Sequence, residues 1–454
     1  MSRWLRALFA AASLCVASVQ AHAAAGQGTH AFVGVDVLPM DRDHRLARQT
    51  VVVADGRIIA VGPQDTVEIP ADATRIAGEG RVLMPGLAEM HGHVPGGDDP
   101  AYVEDTLILY LANGVTLVRN MAGDPSHPAL RARIEAGELD GPNLVLASPW
   151  LRGEDADAVA REIRAHHAAG FDLLKLGNIP VQAWPRMVET AGQVGMPFAG
   201  HIPDGVPLQD ALTARQASID HFDRYVEFLV PPGTDTGERD AGWFGSGWVQ
   251  WVDRGRIGEA VSRTVAAGTW NVPTLTLVEH MASPESAESM LQWPEMRYVP
   301  ATERERWRRA KREYAARDTF QPEAAGALVA LRRDLLKALH DGGAPIALGS
   351  DAPQFFNVPG FSIHREMASM QTAGLTPYEV LVTGTRNAAH ALGTPDAFGT
   401  IEVGRRADLI LLADDPREDL THVRNPMGVM ADGRWWTREV LDARLDRIAE
   451  RHAD

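Results

Sequence analysis

The stretch Val103-Glu-Asp-Thr-Leu-Ile-Leu-Tyr-Leu-Ala-Asn-Gly-Val-Thr-Leu-Val-Arg119 sets out an organisation that repeats along the chain. Val103, Leu107, Tyr110 and Leu111 recur at the spacing of one helix face, and Gly114 then opens a short β-rich run. The same succession returns where Leu328, Leu331, Leu335 and Leu339 lead into Pro345-Ile-Ala-Leu-Gly349. Helices that feed directly into apolar strands imply βα units and a parallel sheet. Eight strand candidates fit this rhythm: 83–90, 115–120, 144–148, 173–176, 198–201, 218–221, 272–277 and 346–350. Eight repeats favour an α/β fold of the closed TIM (β/α)8 barrel type over an open doubly wound sheet. No Gly-x-Gly-x-x-Gly follows an early strand and no P-loop is present, which removes the usual dinucleotide and nucleotide cradles.

Outward from the barrel, both ends of the chain are β-rich. Gln49-Thr-Val-Val-Val-Ala-Asp-Gly-Arg-Ile-Ile-Ala-Val-Gly62 reads as a hairpin turning at Asp55-Gly56. Ala407-Asp-Leu-Ile-Leu-Leu412 is an apolar strand, and Gly428 to Trp436 reads as a second hairpin through Asp432-Gly433. A small β-sandwich built from both ends is expected, from 24–82 and from 394–454 including the tail, around a barrel domain over 83–393. Residues 222–268 and 278–340 break the short-loop rhythm, and Trp243, Trp248 and Trp251 crowd the first of them. Such βα excursions are expected to roof an active site.

Residues 1–23 read as an export signal: Arg3 and Arg6, an apolar run from Leu8 to Val19, then Ala21-His22-Ala23 as a small-x-small cleavage pattern. A mature, periplasmic or secreted chain starting near Ala24 is expected. It holds no cysteine, since the only one is Cys15, so neither disulfides nor thiol chemistry enter. The formal charge of −16 argues against nucleic acid or anionic membrane as partners, and no later stretch reads as a membrane anchor. A small-molecule substrate is expected, and a homo-oligomer is compatible with this composition.

The chemistry concentrates at predicted strand ends. His91 and His93 follow the first strand, and residues i and i+2 of an extended end face one side, so both imidazoles can meet one ion. His201 ends Met196-Pro-Phe-Ala-Gly-His201, and His221 ends Ala217-Ser-Ile-Asp-His221. Asp351 ends Ile346-Ala-Leu-Gly-Ser-Asp351, where the rival role is a helix N-cap. Lys175 lies in the apolar strand Gly170-Phe-Asp-Leu-Leu-Lys-Leu-Gly177; beside cations it fits only if neutral or carboxylated, and otherwise it is a plain strand-end lysine. His127, His280 and the pair His166-His167 read as exposed or packed histidines.

Pro85-Gly-Leu-Ala-Glu-Met-His-Gly-His93, Lys175, Gly200-His201, Ser218-Ile-Asp-His221 and Gly349-Ser-Asp351 together resemble the amidohydrolase superfamily, and more closely its prolidase-like and imidazolonepropionase-related branch. Val272-Pro-Thr-Leu275 and Gly399-Thr-Ile-Glu-Val-Gly-Arg-Arg-Ala-Asp-Leu409 support the resemblance, which covers nearly all of 28–437. It implies two divalent ions, commonly zinc, with manganese or cobalt as alternatives. His91, His93 and Asp351 would hold the buried ion, and His201 and His221 the outer one. Lys175, carboxylated by CO2, would bridge them. It further implies a metal-bridging hydroxide that attacks the substrate, with Asp351 shuttling the proton to the leaving group.

The resemblance is weakest where relatives recognise dipeptides. The corresponding neighbourhoods read His201-Ile202-Pro203 and Ser148-Pro149-Trp150, without the tyrosine and histidine those relatives carry. Arg224, Tyr225 and His364 are candidate substrate anchors, the first two for a carboxylate. The expected reaction is hydrolysis of an amide or other C–N bond of a small molecule, such as an N-acyl amino acid, peptide or cyclic amide. The alternatives are lactone, ester or phosphoester hydrolysis on the same site, or a non-catalytic barrel scaffold. A mononuclear deaminase fits less well, because no His-x-x-Glu-type base is found.

Overall fold

The computed structural model describes residues 28–237, 241–317 and 321–453. The expected leader, 1–23, lies outside them. No helix among the described residues is long and apolar enough to cross a membrane.

Both chain ends meet in one eight-stranded sheet. Val82–Pro85 is the joint, pairing with His30–Val37 on one side and antiparallel to Leu409–Leu412 on the other. The two Asp-Gly hairpins form as read, with Asp55 and Gly56 at φ 48° and 72°, and Asp432 and Gly433 at φ 48° and 75°. Residues that tolerate the left-handed region occupy all four turn positions. The turns also abut, since a Cβ on Gly433 would lie 2.6 Å from the Gly56 Cα. Phe32, Val35, Val51, Leu83, Leu409 and Met430 pack one apolar cluster of this sheet. The strands form a single hydrogen-bonded sheet from both ends, and a sandwich of two facing sheets is not drawn among them.

Between the ends lies a parallel βα arrangement. Leu87–Gly92, Val115–Asn120 and Asn143–Leu146 form one sheet, and Leu174–Leu176, Phe198–Gly200, Ser218–Asp220 and Trp270–Val272 another. The Ala147–Leu173 bridge joins them, and Asn271 bridges to Ile346. The ladders therefore do not form one closed sheet. The eighth candidate, 346–350, is not a regular strand. It is held instead by single bonds, Met90 N–H to the Leu348 carbonyl (2.8 Å) and Leu348 N–H to the Thr383 carbonyl (3.1 Å). Two other expected strands are corrected. The run 83–90 splits at Pro85-Gly86, its first part entering the end sheet, and at Gly86 a Cβ would lie 2.3 Å from Thr116. The run 272–277 ends at Val272, because Pro273 lacks an amide hydrogen and Thr274 turns left-handed before helix Leu275–Ala282.

The quoted helix spans Pro100–Ala112, started by the Asp99 side chain accepting from Tyr102 N–H, and Gly114 at φ 82° turns it into the next strand. It is buried on more than its expected stripe because helix Arg438–Arg451 packs on it, tied by Arg451 and His452 to Asp105. Helix Pro322–Asp341 buries Leu328, Leu331, Leu335 and Leu339 as the spacing requires. Both long excursions contain helices, Ile257–Ala267 in the first and Ala301–Ala315 in the second, and both reach the cleft described next.

Candidate metal centre

The strand ends open into a cleft of about 800 Å³ whose floor carries His91, His93, Lys175, His201, His221 and Asp351. The ligand atoms of His91, His221 and Asp351 lie within 4.8 Å of one another, and all three residues are buried. His93 joins them with Nε2 2.6 Å from Asp351 Oδ1, while His91 Nε2 is 3.5 Å from the same oxygen. The chain after Asp351 enters no helix until Phe361, so the N-cap role falls away. The His201 ring stacks on that of His221 at 4.7 Å, and Lys175 Nζ lies 3.3 Å from His91 Nε2. The six residues expected at the centre are thus brought to one place. Imidazole and carboxylate donors converging on one buried point suit zinc and other first-row divalent ions.

Three of the four imidazoles are oriented by a second group that sequence reading did not single out, while His93 Nδ1 has no such partner among the described residues. Asp220 Oδ2 accepts from His91 Nδ1 at 2.7 Å, and Asp223 Oδ2 from His201 Nδ1 at 2.7 Å. A carboxylate there fixes the proton on Nδ1 and leaves the Nε2 lone pair free for a ligand. Thr274 Oγ1 lies 2.7 Å from His221 Nδ1. Asp220 is itself held by Arg119 at 3.2 Å and by Ser218 Oγ at 2.7 Å. The available signal for Asp220 and Asp223 was their position, immediately flanking a candidate ligand in Ser218-Ile-Asp-His221 and two residues beyond it.

Burial and charge set the protonation states. Burial is the largest influence on His91 and pulls it down to about 4, and burial likewise holds His221 well below the usual imidazole range. Burial also lowers the Lys175 ammonium. For Asp351 burial alone would act upward, but the imidazoles of His91, His93 and His221 outweigh it and hold the carboxyl well below its usual range. Asp220 is lowered too, the Arg119 and His91 charges overcoming burial. Glu89 goes the other way, pushed up to about 8 by burial. It accepts from Ser350 N–H (2.7 Å) and Ser350 Oγ (2.6 Å), pinning the irregular eighth segment beside the first strand.

The expected substrate anchors separate. Arg224 lines the cleft, yet its guanidinium already binds Asp204 at 2.6 Å and Glu227 at 2.9 Å. Tyr225 and His364 do not reach it. The Tyr225 hydroxyl is buried against Thr264 Oγ1 at 2.7 Å, because the left-handed Arg224 turns the next side chain into the core. His364 sits on the buried face of helix Phe361–Thr372, where burial lowers it to about 3. The tryptophans of the first excursion separate as well. Trp243 and Phe244 line the cleft, while Trp248 lines a neighbouring hollow and Trp251 lines neither. Trp150 lies 5.4 Å from the His201 ring. His127 and His280 are packed, as expected.

Known proteins resemble this chain in sequence and fold. Residues 254–436 match the Amidohydrolase family model. Imidazolonepropionase from Paracoccus denitrificans is 28% identical over 385 residues, covering 79% of this chain and 86% of that protein. The Shouchella clausii imidazolonepropionase is 38% identical over 76 residues, only 16% of this chain and 17% of the relative's length. Among solved structures, a bottromycin amidohydrolase superposes with a TM-score of 0.68 at 24% identity, covering 92% of this chain and 90% of that one. A Xaa-Pro dipeptidase superposes with a TM-score of 0.65 at 19% identity, covering 90% of this chain and 100% of that one. Both carry the same TIM-barrel-like α/β fold. The chain is therefore similar to the amidohydrolase family over residues 254–436 and to an imidazolonepropionase over most of its length.

Proposed function

We propose that this protein is a metal-dependent hydrolase that cleaves an amide or other C–N bond of a small molecule. The observation that carries the reading is the convergence of the His91, His221 and Asp351 ligand atoms within 4.8 Å at the floor of the cleft. The imidazolonepropionase relatives support a C–N bond as the target. In this reading His91, His93 and Asp351 would hold one divalent ion and His201 and His221 a second, with Lys175, as a carbamate, a further anionic ligand. Burial favours that modification, because it lowers the Lys175 ammonium and CO2 adds to a neutral amine.

Such ions, when bound, acidify a water and polarise the scissile carbonyl. The chain's own residues do the rest. Asp351, kept ionised by its imidazole neighbours, accepts a proton at its carboxylate and returns it to the leaving nitrogen. Asp220, Asp223 and Thr274 hold His91, His201 and His221 in one orientation each. Trp243, Phe244 and Trp307 cover the cleft with apolar surface that limits water.

The test is turnover of zinc-, manganese- or cobalt-loaded protein on N-acyl amino acids, dipeptides, cyclic amides, lactones and aryl esters. Chelator-sensitive cleavage of an amide or cyclic amide is expected to dominate. Cleavage confined to lactones and esters moves the reading to the other bond class, and absence of bound metal and of all turnover leaves a scaffold.

A further inference from the structure

Arg332 is a buried cation that the mechanism above does not use. It comes from helix Pro322–Asp341 and is 1% exposed. Its guanidinium forms no ion pair among the described residues; Asp223, Glu366 and Glu279 act on it only at longer range. It donates instead to two main-chain carbonyls, from Nη1 to His221 and from Nη2 to Pro273 (2.7 Å). Its Nε has no partner. The rings of Phe222 and Phe244 flank it, with centroids 5.4 and 5.6 Å from the guanidinium carbon.

Arg332 binds at a place where the backbone is strained. His221, Phe222 and Thr274 have φ of 62°, 52° and 46°, in the left-handed region that such side chains disfavour. His221 and Thr274 meet each other through Nδ1 and Oγ1 at 2.7 Å. The His221 and Pro273 carbonyls belong to the ends of two neighbouring strands, so one planar fork holds both turns in register. Phe244, beside the guanidinium, is also 5.5 Å from the His221 ring and lines the cleft. A buried cation without a paired anion is a poor way to gain stability, since apolar side chains of similar size serve as well or better.

We infer that Arg332 is a positioning residue: it clamps the strand ends that carry His221 and Thr274, fixing the His221 imidazole toward the metal point and tying that geometry to Phe244 in the cleft wall. This rests on the metal-hydrolase reading. The experiment uses the full chain with Arg332→Met and Arg332→Lys, following thermal unfolding, cobalt(II) affinity and the cobalt absorption spectrum. Arg332→Met should keep or raise Tm, weaken cobalt binding about 10–100-fold and change the spectrum. Arg332→Lys, which can bond a carbonyl but lacks the fork, should recover part of the affinity. A lowered Tm with unchanged cobalt affinity and spectrum would reduce Arg332 to a structural brace and overturn the inference, as would a variant like the wild type in every readout. Should Arg332→Met not fold, Arg332→Lys alone decides: it must weaken cobalt binding and shift the spectrum, and identity with the wild type overturns the role. Wild-type protein that binds no cobalt overturns the metal reading itself, which is a separate result.

Discussion

The inner and outer sides of the candidate centre use the same device in opposite surroundings. His91 and Asp220 have side chains 1% and 0% exposed and are backed by the Arg119 guanidinium. His201 and Asp223 form the same bond at the same 2.7 Å, but with side chains 28% and 14% exposed and, among the described residues, no arginine in an ion pair with Asp223. An imidazole–carboxylate pair orients a ligand in either place. Only inside does it also carry stability, because there a lost partner leaves Arg119 unpaired in a medium that cannot solvate it. Outside, water and counterions replace what is removed. The inner pair binds fold and site together, whereas the outer pair serves the site alone.

Lys175 lies against the inner ligand and is proposed as a further anionic ligand, so its removal should have the largest effect. Lys175→Ala should lose much of its bound metal, and turnover should fall by at least about a thousandfold. Added acetate, an anion small enough for the vacated place, should restore part of both. Two retained metals with normal turnover would limit the centre to the histidines and Asp351.

Next in size are the two orienting carboxylates. Asp220→Asn should cost about 3–5 kcal/mol of stability in addition to metal affinity, read from urea unfolding of the metal-free protein. Asp223→Asn should cost less than about 1 kcal/mol, while metal affinity falls about 10–100-fold. Equal losses of stability for the two variants would erase the contrast between inner and outer sides.

The smallest effect is expected at the mouth of the cleft. Trp243, 52% exposed, can shape substrate binding without touching the ligands. Trp243→Ala should raise KM roughly three- to tenfold with metal content unchanged, and Trp248→Ala, in the neighbouring hollow, should do less. A loss of metal in Trp243→Ala would show that the mouth and the centre are not separable.

Much of this was legible in the sequence, because it depends on local pattern. The alternation of helix stripe and apolar strand gave the βα organisation, and the Asp-Gly turns gave both hairpins at the chain ends. Candidate ligands were readable because strand ends in such folds collect chemistry, so His91, His201, His221 and Asp351 stood out by position. Boundaries were less legible. Pro85-Gly86 hides a change of sheet inside one apolar run, and Val272-Pro-Thr-Leu275 turns from strand to helix within four residues.

Tertiary structure alone decided which polar groups face one another. Tyr225 follows a cleft-lining arginine in sequence but points at Thr264, since one left-handed residue reverses the direction of the next side chain. Asp220 and Asp223 both flank a histidine, and nothing local says that one stands behind His91, 129 residues away, and the other behind His201. Arg332 lies 111 residues from the carbonyl it holds and reads in sequence as one more helix-surface charge. Periodicity reports which face of an element is buried. It carries no information on what is buried opposite, because that depends on contacts between distant segments that form only when the chain closes on itself.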